Sequence, residues 1–489
     1  MKKLLSILLI LCFSSAGFSQ NKGYKIKIKV DGMKDSSCFL INYFGQQRYY
    51  KDTAQFNSEG VVVFSGEEQH PGGIYGVYTG GKLLFEIVIN NEPIIDLETD
   101  TFDYIKNMKV KKSKENEVFF GHIKFITKKH KSSQPYRKEL KSEGITDKKK
   151  KEINEKLAKI GKEINKYRLD IIDNYPNLFV SVIFKTMKEP EAPKFEEIKN
   201  DSLRRLLRYE YVKTRFFDDV DFSDARINYT PLYHNKLDKY FKSIVYPMPD
   251  SIIKEVDVIV AKSKANKEIF KYTVHHLLSH YDRSKIMGMD AVFAHIGLNY
   301  YTHELAYWAD SAQIVKVQDR ARKLTPLLLG KTAINLSLMD TSGNKWESLH
   351  KVSADYTVLI FWEPSCGHCK KEMPKLVHYI DSMKSIIDIK VYSVSPHHNE
   401  EWKKFIRDNN LDFINVSVPE EVYKDQKIAT EYIIKGYTNL KSMNYTTTYD
   451  IFSTPQLYLL DKSKKIIAKK LDTELLKTVI QREEARKNK

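Results

Sequence analysis

Cysteine is scarce in this chain, and the scarcity narrows the class of protein. The 489 residues contain four cysteines, at positions 12, 38, 366 and 369. A small secreted domain that lacks a sufficient core is held together by a dense set of disulfides. This chain is long enough to bury several cores, and the length alone favours about three domains. We therefore exclude a disulfide scaffold.

Long hydrophobic runs are also missing, except at the amino terminus. There, a pair of lysines precedes an apolar segment from Leu4 to Phe13, and small residues follow. About ten apolar residues are too few to span a bilayer, which needs ~20. The pattern is that of a secretory signal peptide. We expect residues 1–19 to be cleaved off near Ser19 and Gln20, which places the soluble mature protein in the periplasm or another extracytoplasmic space.

Removal of the signal peptide also removes Cys12. Leu11 stands before it, where a lipoprotein site has a small residue, so we do not expect a lipid anchor. The mature chain keeps Cys38, Cys366 and Cys369. In an oxidising compartment, the close pair at 366 and 369 is either an oxidised clip or a working redox couple, and a chain of this size does not need the clip.

Positive charge is only moderately in excess, with a net charge of +17. The lysine run Lys148–Lys151 and the lysines at 128, 129 and 131 lack interleaved aromatics and a recognition motif. We interpret them as solvated helix faces and expect no nucleic-acid partner. His303-Glu304 lacks the second histidine of a zinc helix, and we expect neither a metal nor a cofactor.

The pattern of apolar residues changes twice along the chain. In residues 20–114, Ile26, Ile28 and Val30 alternate with lysines, which indicates a half-buried strand. Short strands of this kind, separated by turn residues, favour an antiparallel sandwich or barrel. We predict an amino-terminal antiparallel β domain of unknown function, with Cys38 as a small buried hydrophobe. The further strand candidates are Cys38–Phe44, Val61–Phe64, Ile74–Tyr78, Leu83–Ile89 and Ile94–Leu97.

Residues 115–325 have a helical period. Apolar residues from Ile153 to Ile171 step by three and four, so we predict a long amphipathic helix that is capped by Asp147 and stopped at Pro176. Packing within its own domain is favoured over a coiled-coil partner. In residues 326–489, apolar strands such as "YTVLIFW" alternate with helical segments, which is typical of an α/β domain. The fold class is thus multidomain, with an all-α middle domain before an α/β domain.

The stretch "FWEPSCGHCKKEMP" places Cys366 and Cys369 at the junction of a strand and a helix. Unpaired amides and the helix dipole stabilise a thiolate at a helix start. Cys366 is therefore the predicted nucleophile and Cys369, one turn later, the resolving thiol, while His368 favours the Cys366 thiolate. A structural zinc site would need four ligands, and the mature chain offers only Cys38 as a further thiol. Haem attachment would need a histidine after the second cysteine, where this chain has Lys370.

Residues 326–489 resemble the TlpA/ResA-like thiol-disulfide oxidoreductases of bacteria, which have a thioredoxin fold, and the alkyl-hydroperoxide-reductase-type profile is a neighbour. The resemblance rests on "FW" ahead of "CGHC", on Pro374, and on "STPQLYLLD", which places Thr454-Pro455 where the family has its cis-proline. The domain order also resembles secreted multidomain bacterial proteins.

The resemblance implies roles for several residues. Cys366 and Cys369 would be the redox pair, Trp362 the aromatic residue before the site, and Pro455 the proline on the substrate side. Glu372 would be a buried acid that tunes the cysteine pKa values. Ile360 stands where ordinary thioredoxins have a buried aspartate, and the Gly-His dipeptide is that of disulfide isomerases, so the redox direction stays open.

The resulting hypothesis is an extracytoplasmic thiol-disulfide oxidoreductase that acts on protein substrates as a reductant and is recharged by an upstream redox partner. One alternative is a client-binding or chaperone-type protein with secondary redox activity. Another is a thiol peroxidase, although Pro364-Ser365-Cys366 does not match the Pro-x-x-x-Thr-x-x-Cys of such a site.

Overall fold

The computed structural model describes residues 23–487. The chain divides into two compact units, Met1–Ile244 and Val245–Lys489. The predicted signal peptide at residues 1–19 lies outside the described residues. The boundary between the two units falls inside the predicted helical segment 115–325, and the three predicted domain limits stay predictions.

The amino-terminal unit begins with two four-stranded sheets. Their orders are β4-β1-β7-β8 and β3-β2-β5-β6. Neighbouring strands run antiparallel, apart from the parallel pair β1–β7. The predicted antiparallel β domain is thereby confirmed. The strands are β1 (Tyr24–Asp31), β2 (Ser37–Phe44), β3 (Gln47–Gln55), β4 (Val61–Gly66), β5 (Gly73–Thr79), β6 (Lys82–Ile89), β7 (Ile94–Asp100) and β8 (Lys109–Lys112).

The alternation of β1 explains how the core of this unit forms. Ile26, Ile28 and Val30 are buried, whereas the lysines between them lie toward solvent. Successive side chains of a strand point to opposite faces, so these three residues join a core cluster that includes Cys38. The predicted burial of Cys38 is seen in the structure.

Helices follow the sheets in the same unit. The long helix begins at Asp147, but its cap is the preceding Thr146, whose side chain accepts a hydrogen bond from the amide of Lys149. The helix ends at Asn174, before Pro176, and of its apolar stripe only Ile153 and Ile171 are fully buried. The helices are α1 (Lys114–Glu139), α2 (Asp147–Asn174), α3 (Phe179–Met187), α4 (Asp201–Arg215) and α5 (Pro231–Lys239), with a 3₁₀ turn at Ala225–Tyr229 and a π-helical turn at Tyr240–Ile244.

The carboxy-terminal unit opens with four helices and continues into an α/β sheet. The helices are α6 (Pro249–Ser263), α7 (Lys267–Asp282), α8 (Asp290–Asn299) and α9 (Ser311–Leu324). The helical middle region that the sequence predicts is confirmed. No helix within residues 23–487 has the length and apolar content to cross a membrane.

The sheet of this unit has seven strands in the order β10-β9-β13-β12-β11-β14-β15. The central strands β11, β12 and β13 are parallel, and the other pairs are antiparallel. The strands are β9 (Ser337–Asp340), β10 (Trp346–Ser348), β11 (Tyr356–Phe361), β12 (Ile389–Ser395), β13 (Ile414–Ser417), β14 (Gln456–Asp461) and β15 (Ile466–Leu471). The helices are α10 (Gly367–Met383), α11 (Glu400–Asp408), α12 (Glu420–Lys424), α13 (Gln426–Ile434), α14 (Leu440–Met443), α15 (Tyr445–Thr448) and α16 (Thr473–Lys487), with 3₁₀ turns at Thr325–Leu327 and Leu349–Lys351.

Strand β11 separates two apolar layers. Val358 and Ile360 belong to the cluster that contains Cys369 of α10, whereas Leu359 and Phe361 belong to the cluster on the opposite face. All six side chains of β11 are buried, as expected for a strand covered on both faces. The end of this buried strand leads into the start of α10. The alternation of strands and helices around the sheet confirms the predicted α/β architecture.

Candidate active site

Cys366 lies at the amino end of α10. It is the residue just before the first helical residue, Gly367, and its backbone is extended, with φ −74° and ψ 120°. The first amides of a helix have no partner within the helix, and their dipoles add to a partial positive charge. Cys366 is half-buried, so its sulfur is both accessible and next to these donors.

The two cysteines have opposite pKa shifts. Burial by itself would raise the pKa of Cys366, but interactions with the backbone amides of Cys369 and His368 bring this pKa below its ordinary value of 9.0. Burial raises the pKa of Cys369 to about 11. The pair therefore has one accessible thiol that ionises more readily than an ordinary cysteine and one buried thiol that stays protonated at neutral pH.

The loop before β14 contacts Cys366. The Cys366 thiol donates a hydrogen bond to the backbone carbonyl of Thr454, with 3.4 Å between sulfur and oxygen. The Thr454-Pro455 peptide bond is cis, as the resemblance implies. The structure thus brings together four of the predicted site residues: Cys366, Cys369, Thr454 and Pro455.

Trp362 packs in the core beside the segment that leads to Cys366. Its side chain is fully buried, and its indole nitrogen donates a 2.6 Å hydrogen bond to the hydroxyl of Ser393 in β12. Its ring also packs against Phe405 at a centroid distance of 5.1 Å. Trp362 therefore anchors the start of the segment that leads to Cys366. No local pattern in the sequence pointed to Ser393 as its partner.

His368 has an exposed side chain in the first turn of α10. Its backbone amide is among the groups that lower the pKa of Cys366. The effect of its imidazole on the thiolate stays a prediction. What the structure shows at this position is a main-chain interaction that any residue in the helical conformation could supply.

Glu372 is engaged by the last helix of the domain. One carboxylate oxygen accepts hydrogen bonds from both the amide and the hydroxyl of Thr473, each at 2.6 Å. The carboxylate thus pairs with both hydrogen-bond donors of Thr473, the first residue of α16. The Glu372 side chain is 13% exposed. Lys375 lies 3.7 Å from the other oxygen. The tuning of the cysteine pKa values by Glu372 stays a prediction, whereas its contact with α16 is a finding.

Comparison with known families identifies the domain around this site. Residues 329–469 match the AhpC/TSA family. The carboxy-terminal domain belongs to the AhpC/TSA family. Within the chain, residues 141–324 match a second family, described as a domain of unknown function, DUF5106. No curated protein matches the chain.

Solved structures of bacterial proteins are similar to parts of this chain. A domain of a possible thiol-disulfide isomerase from Cytophaga hutchinsonii is 37% identical, covering 34% of this chain and 99% of that one, with a TM-score of 0.27. A thioredoxin-like protein from Bacteroides caccae is 19% identical over 60% of this chain and 98% of its own, with a TM-score of 0.45. The thioredoxin domain of a thiol-disulfide oxidoreductase from Bacteroides vulgatus is 24% identical, covering 32% of this chain and 96% of that one, with a TM-score of 0.26.

The predicted resemblance is confirmed at the level of the family. The AhpC/TSA domain has a thioredoxin-like fold.

Proposed function

We propose that the protein is an extracytoplasmic thiol-disulfide oxidoreductase that reduces disulfides in client proteins. Cys366 is its nucleophile and Cys369 its resolving thiol. The observation that carries this proposal is the contrast within one helical turn: an accessible sulfur with a lowered pKa lies before a buried sulfur with a raised pKa. The thiolate is the attacking species in disulfide exchange, so the geometry favours one order of attack.

The reaction consists of two exchanges. First, the Cys366 thiolate attacks one sulfur of the client disulfide; a bond between Cys366 and the client forms, the client S–S bond breaks, and the leaving sulfur takes up a proton. Cys369 then loses its proton and attacks the Cys366 sulfur, which releases the second client thiol. The client gains two electrons and two protons. The Cys366–Cys369 pair becomes a disulfide, which a dithiol partner must reduce again.

The reducing direction is part of this proposal, and the reduction potential of the pair tests it. A dithiol whose reduced form is strongly stabilised is an oxidant. The lowered pKa of Cys366 gives one such contribution, whereas Cys369, with a pKa of about 11, adds none at neutral pH. We expect a reduction potential more negative than about −200 mV, measured by equilibration with glutathione buffers, and a potential well above that value would indicate an oxidant.

The location rests on the sequence of residues 1–19, whose lysines and short apolar segment are typical of a secretory signal. Expression of the full chain in a bacterium, followed by amino-terminal sequencing of the periplasmic fraction, tests it. A mature start near Gln20 supports secretion, and an uncleaved chain in the cytoplasm would contradict it.

An insulin-reduction assay tests the activity. The wild type should reduce insulin in the presence of a dithiol donor, and Cys366→Ser should abolish this activity. Cys38→Ala is the matched control, because it removes a thiol that is fully buried in the other compact unit, and it should leave the rate unchanged. Insulin reduction that survives in Cys366→Ser would contradict the proposal. Client protection from aggregation that is undiminished in the same variant would favour a chaperone, and rapid peroxide consumption would favour a peroxidase.

A further inference from the structure

A charged and aromatic cluster connects the helices of the carboxy-terminal unit to the loop that carries Thr454. Its centre is Arg320 of α9. The guanidinium carbon lies 5.2 Å from the ring centre of Phe293 in α8 and 5.4 Å from that of Phe452. Both distances are within the range of cation–π attraction. The planar guanidinium can therefore interact with both rings, one from a helix and one from the loop.

Two carboxylates hold the guanidinium in this position. One of its terminal nitrogens forms an ion pair with Asp282 at the end of α7. Its Nε lies 3.8 Å from a carboxylate oxygen of Asp450, a side chain that is only 12% exposed. Asp450 itself has a positive φ of 54°, at the point where the chain turns into the loop. Arg320 is thus fixed by α7 and in turn contacts both Asp450 and Phe452 in the loop.

Phe452 is unusual for an aromatic side chain because 78% of it is exposed. It stands two residues before Thr454, and consecutive Cα atoms are about 3.8 Å apart, so its Cα lies within roughly 8 Å of the Cα of Thr454. The carbonyl of Thr454 contacts the Cys366 sulfur. A single exposed apolar residue is common on protein surfaces. This one differs because a guanidinium from another element contacts its ring, in the same loop whose Thr454 carbonyl contacts the reactive sulfur.

We propose that Phe452 is a specificity-determining residue that binds an apolar side chain next to the target cysteine of the client, and that Arg320 is a positioning residue that fixes Phe452 and its loop. This inference rests on the proposed oxidoreductase function. The substrate class is a protein disulfide with a large apolar or aromatic neighbour in the chain. The contact with Arg320 restricts the exposed ring, which lowers the conformational cost of binding an apolar client residue.

Two synthetic peptides test the specificity. They share one disulfide loop, and a leucine in one replaces a serine in the other directly beside the cysteine. The wild type should have a kcat/KM about tenfold higher for the leucine peptide, a size typical of one apolar contact. In Phe452→Ala this preference should fall to about twofold or less, through a higher KM for the leucine peptide.

Ile386→Ala is the matched control for Phe452→Ala. Ile386 is likewise an exposed apolar residue, 70% accessible, but it follows the carboxy end of α10. This helix has 17 residues and so separates Ile386 from Cys366 by about 25 Å. Ile386→Ala should keep the preference of the wild type. Equal loss of preference in both variants, or a preference in Phe452→Ala that matches the wild type, would overturn the inference.

Arg320 is tested by two substitutions. Arg320→Ala should reduce the preference for the leucine peptide, and Arg320→Lys should not restore it, because an ammonium keeps the charge but lacks the planar group that stacks on the two rings. Full restoration by lysine would show that charge alone matters and would contradict the stacking role. Near-ultraviolet circular dichroism of each variant verifies that the domain is folded.

The same assay separates this inference from the proposed function. A wild type that reduces hydroxyethyl disulfide and both peptides without preference is an oxidoreductase, and only the specificity proposal fails. A wild type that reduces none of the three contradicts the proposed function and the inference together.

Discussion

Two regions of this protein place a cysteine in or beside a sheet, and they give the thiol opposite chemistry. In the amino-terminal unit, Cys38 lies in β2, is 0% exposed, and burial raises its pKa to about 12. In the carboxy-terminal unit, Cys366 precedes α10 and has a pKa below 9.0, although burial by itself would raise it. The side chain is the same in both regions. The difference comes from the depth of burial and from the backbone around each sulfur.

Burial and the backbone amides together explain this contrast. Strand β2 lies between β3 and β5, and although the amides of Phe39 and Tyr78 lower the pKa of Cys38, burial raises it by more. The first turn of α10 has amides without a partner in the helix, and those of His368 and Cys369 lower the pKa of Cys366. A buried strand therefore makes a cysteine inert, whereas a helix start makes it reactive.

The largest effect that we expect is all-or-none trapping of clients. Cys369→Ser should accumulate mixed disulfides between Cys366 and client proteins, because the thiol that resolves them is gone. Cys366→Ser should accumulate none, since Cys369 is buried and its pKa is about 11. Non-reducing gels of periplasmic extracts measure the trapped species. Trapping by Cys366→Ser alone would reverse the order of attack.

The alkylation rates should differ by orders of magnitude. At pH 7 the thiolate fraction of a group falls tenfold for each unit by which its pKa lies above the pH. With a pKa of about 12 for Cys38 and one below 9.0 for Cys366, iodoacetamide should modify Cys366 at least about 10³-fold faster. Mass spectrometry of the reduced, folded protein over a time course provides both rates. Comparable rates would remove the distinction between the two regions.

Replacement of Cys38 should affect stability and not activity. Cys38→Ser places a hydroxyl in an apolar core cluster, and burying such a group costs about 1–3 kcal/mol. We expect urea unfolding of the amino-terminal unit to shift by this amount, with insulin reduction unchanged. A variant that keeps its stability but loses activity would show that Cys38 takes part in the chemistry.

The smallest effect concerns Glu372, where two roles can be separated. Glu372→Gln weakens the hydrogen bonds to Thr473, and we expect a loss of about 1 kcal/mol in the free energy of unfolding. The family resemblance also predicts a lower thiol pKa in this variant, because a nearby carboxylate disfavours a second negative charge. Thiolate absorbance against pH measures it. An unchanged titration would leave Glu372 with its contact to α16 alone.

The sequence predicted the elements whose signal is local. The lysine-separated apolar residues of β1 indicated its buried face, and the three- and four-residue steps from Ile153 to Ile171 indicated the long helix α2. It did not predict β3 or β8. Most side chains of these two strands are exposed, so they lack the hydrophobic alternation from which a strand is recognised. Their backbone pairing with β2 and β7 defines them instead.

For the candidate site, the spacing of Cys366 and Cys369 was sufficient to place both sulfurs on one helical turn, because three residues along a helix return to nearly the same side. The partners that hold the site were not predictable in this way. Ser393 is 31 residues from Trp362, and Thr473 is 101 residues from Glu372. No local pattern marks such pairs.

The amino-acid sequence by itself thus determined which sulfur chemistry is available, since a helix start and a three-residue spacing are local properties of the chain. Only the tertiary structure decided how that chemistry is supported and directed. It brought the Thr454 carbonyl to the Cys366 sulfur and placed Arg320 of α9 beside Phe452, 132 positions later in the chain. Contacts of this kind depend on the packing of whole elements against one another, and that packing is defined only when the sheet and its covering helices have assembled.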